Sequence, residues 1–277
     1  MSDTPRRFDL SLDIAAAPED VWRALTQAGE LTRWFPLNAE VTPGRGGSVF
    51  WSWGEAWPWR LGIEEWEPGR RLLLHQAPDA YQQFDGEGRP LPHSPRPSAP
   101  IALEFTLERQ GAGTRLRVVH SGFGPGAEWD DEFDGISHGW PFELRGLRLY
   151  LERHRGRDRQ AAMVRRSTVL SIPEAWARLT GPDGYALRPA APAEGDTYEA
   201  GPRGGARYAG RVELLLPRRE LFGVVPELGD AQLRLSTHRA AGQTGVLAWL
   251  AAWGAPRPEV ARFEAEAEKV LSALFTS

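Results

Sequence analysis

The 277-residue sequence has no cysteine. Disulfides, thiol nucleophiles and thiolate metal sites are therefore excluded. Lysine is almost absent: Lys269 is the only one among 33 basic side chains. There is no basic excess either, since the formal net charge is -4. Nucleic-acid binders carry the opposite balance, so no nucleic acid is expected as a partner. No apolar run approaches the length of a membrane span, and the opening MSDTPRRFDL lacks the apolar core of a signal peptide. A cytoplasmic protein is expected.

The common catalytic spacings are missing as well. The six histidines form neither HxxxH nor HExxH, and no GxSxG elbow occurs. The glycine-rich GRGGS at Gly44–Ser48 lacks phosphate-loop spacing and precedes a strand pattern, so it reads as a turn. Asp130, Asp131, Glu132 and Asp134 lack the alternating ligands and closing glutamate of a calcium loop. They read as a solvated acidic loop near a helix start. No metal and no cofactor is expected.

What the sequence does have is tryptophan, twelve in all, within a 41% hydrophobic chain. Several crowd into SVFWSWGEAWPWRLGIEEWEPG. Such rings build either a large aromatic core or the wall of a ligand cavity, since ligand pockets are concave and mostly apolar.

The pattern along the chain gives an order of elements. RFDLSLDI alternates Phe8, Leu10, Leu12 and Ile14 with polar neighbours, as a strand with one buried face does. PEDVWRALT follows as a helix, with Pro18 in its first turn. LTRWFP predicts a second short helix stopped by Pro36. GGSVFWSW, WPWRLGIEEW, RRLLLHQ, ALEFTLER and TRLRVVHS predict strands joined by glycine turns. Residues Ala77–Pro100 are rich in Pro and Gly without periodicity, which marks a functional or disordered loop. GWPFELRGLRLYLERHRG predicts a long helix whose stripe is Trp140, Leu144, Leu147 and Leu151.

The second half repeats this order faintly. MVRRSTVLSI predicts a strand, and PEAWARLT echoes PEDVWRALT. Five further strand patterns follow, then an amphipathic helix with Val260, Phe263, Ala267, Val270, Leu271 and Leu274 on one face. We read an internal duplication with a boundary in RGRDRQAA, giving domains at 1–156 and 163–277.

Four stretches of the first half resemble one superfamily in the right order: IAAAPEDVWRALT with LTRWFP, LGIEEWEPGRRLLL, TRLRVVHSGF, and GWPFELRGLRLYLERHRG. The chain is similar to the SRPBCC superfamily of START-like, helix-grip proteins. Within it, the chain resembles the group named for the activator of the heat-shock-protein-90 ATPase. The resemblance implies an α+β fold of two helix-grip domains, each a curved antiparallel sheet wrapped around a long C-terminal helix. It implies a cavity between sheet and helix that holds a small apolar molecule, lipid-like or aromatic. A chaperone partner, or an enzyme of cyclase or hydrolase type, are the alternatives. Fold alone does not choose between them. No position matches a catalytic motif.

The residues expected to line such a cavity are Trp34, Phe35, Trp51, Trp53, Trp59, His75, His120, Trp140, Leu144 and Leu147. His120 would be a polar anchor at the end of a strand, or a structural histidine bonding the next loop. The rings that would bind a ligand are also the rings that would fill its place.

Overall fold

The alternation of Phe8 to Ile14 becomes strand β1 (Arg6–Ile14). The computed structural model describes residues 5–254 and 258–275. The chain divides into two compact units, residues 1–84 with 88–156, and residues 157–277 with 85–87.

In the first unit β1 is followed by helices α1 (Pro18–Thr26) and α2 (Ala28–Leu31). Strands β2 (Asn38–Thr42), β3 (Ser48–Trp53), β4 (Ala56–Glu67), β5 (Arg71–Gln76), β6 (Ile101–Gln110) and β7 (Gly113–Phe123) come next, then the long helix α3 (Asp130–Leu149). The seven strands lie in the order β1-β7-β6-β5-β4-β3-β2, all antiparallel. The first strand thus pairs with the last, and the others form a meander. Irregular registers occur at Trp51/Trp53 and at Ile63/Glu65. Such bulges bend and twist a sheet locally.

The second unit runs β8 (Arg159–Thr168), α4 (Ile172–Thr180), β9 (Thr197–Ala200), β10 (Tyr208–Leu216), β11 (Glu220–Val225), β12 (Ala231–Ala240), β13 (Gln243–Trp253) and α5 (Pro258–Leu274). Its sheet has the order β8-β13-β12-β11-β10-β9. Again the first strand pairs with the last. Both units are therefore α+β helix-grip domains, and the second has six strands where the family pattern implies seven. One face of its sheet and the stripe Val260, Phe263, Ala267 and Leu271 of α5 share a single apolar core.

Four elements differ from the sequence expectation. Strand β2 forms at Asn38–Thr42, where no separate strand pattern is expected. The second short helix forms at Ala28–Leu31, ahead of LTRWFP, and the N–H groups of Trp34 and Phe35 both bond the Leu31 carbonyl, at 3.2 and 2.9 Å. That tight turn carries both rings inward. The long helix begins at Asp130, nine residues before Gly139, and ends in a π-turn at Tyr150–His154. Asp130, Asp131 and Glu132 thus lie in the first turn of α3, at the positive helix end, and Arg6 pairs with Asp130 at 2.6 Å. Strand β8 begins at Arg159, earlier than Met163, because Arg159 to Ala162 already pair with β13.

Leu144 and Phe263 are fully buried on the sheet-facing stripes of α3 and α5. Leu144→Ala and Phe263→Ala are each expected to lower the unfolding free energy by about 2–5 kcal/mol. Urea denaturation measures this; losses below about 1 kcal/mol would show that these stripes do not hold the helices.

Candidate functional site

Register decides which side chains meet under α3. Trp51 lies opposite Trp59, Leu74 opposite Leu103, Leu103 opposite His120, and His120 opposite Phe8. Alternation keeps these residues on one face. The turn after α2 adds Trp34 and Phe35. Helix α3 adds Trp140, and Leu144 and Leu147 continue its stripe at full burial.

Phe35 is the hub of this wall. Its ring centroid lies 5.0 Å from Trp34, 5.0 Å from Trp51, 5.1 Å from Trp53 and 5.5 Å from Trp140. Trp140 also meets Phe105 at 5.8 Å, and Trp59 meets His120 at 6.1 Å. These are contact spacings for aromatic pairs. This part of the concave face is filled by rings. Trp53 and Trp59 remain half-buried, so the wall reaches the surface on their side.

Polar groups are few and sharply placed. The Trp34 indole donates to the Ala24 carbonyl at 2.8 Å. The Trp140 indole donates to Nδ1 of His120 at 3.1 Å. His120 is 1% exposed, and burial lowers its pKa from 6.5 to about 3. The imidazole is therefore neutral, and with Nδ1 accepting, its proton sits on Nε2. The indole N–H groups of Trp51 and Trp59 are buried and have no acceptor. Each such donor costs about 1–3 kcal/mol when sealed from water.

His75 does not belong to this wall. Leu72, Leu74 and Gln76 take the inner face of β5, so Arg71, Leu73 and His75 take the outer one. There the His75 ring lies over Gly62, where an added Cβ would come within 2.7 Å of it. The outer face is otherwise dressed with ion pairs, among them Arg71 with Glu104 and Arg117 with Asp9. Trp57 departs from the alternation that would align it with Trp59. Its φ is +46°, and its N–H bonds the Gly88 carbonyl at 3.0 Å.

A second corner escaped the sequence reading. Tyr81, Ile101, Phe123 and Trp129 form a small core beside the start of α3. Burial pushes the half-buried Glu132 carboxyl up to about 7, against the lowering effect of the neighbouring Tyr81 hydroxyl. Burial and then the Glu132 charge push the Tyr81 hydroxyl up. The acidic run is thus only partly solvated. Tyr81 sits in the 77–100 loop, which folds back on itself: Gln82 Nε2 donates to the Leu91 carbonyl at 2.7 Å, and Gln83 N to Ser94 Oγ at 2.8 Å. No periodicity signals such a loop. Phe105 carried a visible signal, as an inward position of the ALEFTLER strand pattern, whereas Phe123 lies two residues past the TRLRVVHS pattern. Among the described residues no group of three or more His, Cys, Asp or Glu is placed to hold a metal ion, and no helix is long and apolar enough to cross a membrane.

Residues 15–152 match the family model described as Activator of Hsp90 ATPase homolog 1-like protein. Among solved structures, protein MLL2253 from Mesorhizobium loti is similar at 25% identity, covering 54% of this chain and 99% of that chain with a TM-score of 0.43. The Aha1 dimer from Colwellia psychrerythraea is similar at 18% identity, covering 55% and 99%, with a TM-score of 0.42. DynU16, from the dynemicin biosynthetic locus, is similar at 16% identity, covering 98% and 96%, with a TM-score of 0.43. No curated protein matches the chain.

The two shifted groups titrate with opposite consequences. His120 binds a proton more readily when unfolded, so stability is expected to fall as pH drops below about 6.5 toward about 3. Glu132 binds a proton more readily when folded, so its contribution is lost as pH rises from about 4.5 to about 7. Denaturation at stepped pH tests both. Glu132→Gln is expected to gain on the parent between about pH 5 and about pH 8. His120→Asn, which keeps an acceptor for Trp140, is expected to lose less than the parent on acidification. Parallel curves would remove these groups as the cause.

Proposed function

We propose that this chain, whose first unit belongs to the activator of Hsp90 ATPase homolog 1-like family, binds a small, largely apolar molecule in that unit. It acts as a binding protein, with no catalytic step. The observation that carries this reading is the pair of indole donors, Trp51 and Trp59, buried without acceptors in an aromatic wall. A core built for stability alone is better served by groups with no polar atom to satisfy. A ligand with an apolar body and one neutral oxygen acceptor supplies what the two donors lack. The ring contacts supply the body's surroundings, and the Nε2–H of His120 is a third donor on the same face. The rings touch one another, so binding requires them to part. Trp53, half-buried at the edge, is the ring that moves at least cost.

A matched pair of probes tests this. Benzophenone has two rings and a carbonyl, and diphenylmethane has the same rings without it. Benzophenone is expected to raise the unfolding temperature of the intact chain more than diphenylmethane does, because ligands of the folded state shift unfolding by mass action. Trp51→Phe is expected to shrink the difference between the two. Native mass spectrometry of freshly purified protein adds a direct view of any retained molecule. If neither probe shifts unfolding and the protein carries no extra mass, the reading fails.

A further inference from the structure

A groove of about 530 Å³ lies where the start of α1 meets the β4–β5 turn and the end of β6. It shares no residue with the aromatic wall. Its volume falls in the range of about 300–1,000 Å³ typical of small-molecule sites. Trp22 and Leu107, 9% and 5% exposed, give it an apolar floor. Trp22 is braced edge-on by Trp66, with centroids 5.1 Å apart. Pro18 and Pro68 wall it with rigid rings, and Gly69 holds a φ of +72° with nothing overhanging it. The Leu107 N–H bonds the Arg70 carbonyl at 2.8 Å, which staples the turn to β6. The groove is preformed, so little is lost in ordering it.

Its charge is one-sided. Arg23, Arg70 and Arg109 line it, against one acid, Glu19. Arg109 pairs with Glu19 at 2.7 Å, and Arg23 pairs with Asp20. Arg70 is held more loosely: its contact with Glu67 is 3.8 Å, and its side chain is 80% exposed. A guanidinium fork beside a flat apolar floor suits a planar molecule that ends in an oxyanion.

We infer that this groove binds an aryl carboxylate or sulfonate, with its ring against Trp22 and its acid group on Arg70 and Arg109. The site is independent of the aromatic wall, and so is its ligand chemistry. Two indole donors of the wall lack acceptors, and the wall faces a neutral imidazole; the groove offers cations.

Calorimetric titration of the intact chain with 1-naphthalenesulfonate tests the inference, with 1-naphthol as the uncharged counterpart. One saturable site is expected for the sulfonate, weaker with added salt. The double variant Arg70→Glu, Arg109→Glu is expected to raise Kd by about tenfold or more. Both residues are more than half exposed, so the fold should survive. Should the reversal unfold the chain, the pair Arg70→Ala, Arg109→Ala takes its place, with the melting curve as control. Trp51→Phe, which weakens the other site, is expected to leave sulfonate binding unchanged. No saturable binding, binding that survives loss of the two arginines, binding lost in Trp51→Phe, or equally tight binding of 1-naphthol would each overturn the inference.

Discussion

The hydrogen bond from the Trp140 indole to His120 Nδ1 joins the long helix to β7, the strand that pairs with β1 in the first sheet. It fixes which turn of α3 faces which strand. Once Trp140 is seated there, Phe35 stacks on it, and Trp34, Trp51 and Trp53 gather around Phe35. Leu144 and Leu147 follow at helical spacing and must enter the same core. The bond also sets chemistry. It holds a buried imidazole in one tautomer and leaves its remaining N–H on the aromatic face. A charged His120 could not accept from the indole, so the seat of the helix and the neutrality of the ring are one condition.

Other constraints lock the far end of α3. The Tyr150 hydroxyl donates to Glu30 at 2.5 Å and accepts from Gly156 N at 3.1 Å, while Ala15 N donates to Glu152 at 2.8 Å. The helix is thus anchored by polar contacts at its end and by rings in its middle. Where polar atoms are buried among rings without such partners, as in Trp51 and Trp59, the packing is less complete than it could be.

The second unit reaches the same topology with other means. Its core is largely aliphatic on the sheet, with Tyr198 and Tyr208 as exceptions, and Tyr185 and Tyr208 flank Phe263 of α5 at 6.1 and 5.6 Å. Gly223 clears the space that the Tyr198 ring occupies, since a Cβ there would come within 2.2 Å of it. A six-stranded sheet with first and last strands paired still covers one long helix. The architecture therefore tolerates loss of a strand and of the whole tryptophan wall, because the wrap depends on β8 meeting β13 and not on what fills the concavity.

Much of this was legible from residues alone. Alternation in RFDLSLDI, ALEFTLER and TRLRVVHS gave strands whose buried faces can be counted, and the Trp140 stripe marked a helix with an apolar side. The tandem order and the aromatic set were visible for the same reason: periodicity and composition are local properties. The face taken by His75 was not. It sits one residue from the inward position, and a single step of register moves a side chain through the sheet. The Tyr81–Glu132 corner and the arginine groove were hidden as well, since each joins segments far apart in the chain with no shared pattern. By itself the sequence determined most of the strands and helices, though not all their bounds, and which of their faces are apolar. Only the tertiary structure decided which faces meet, because pairing and packing between distant segments are fixed by their mutual fit.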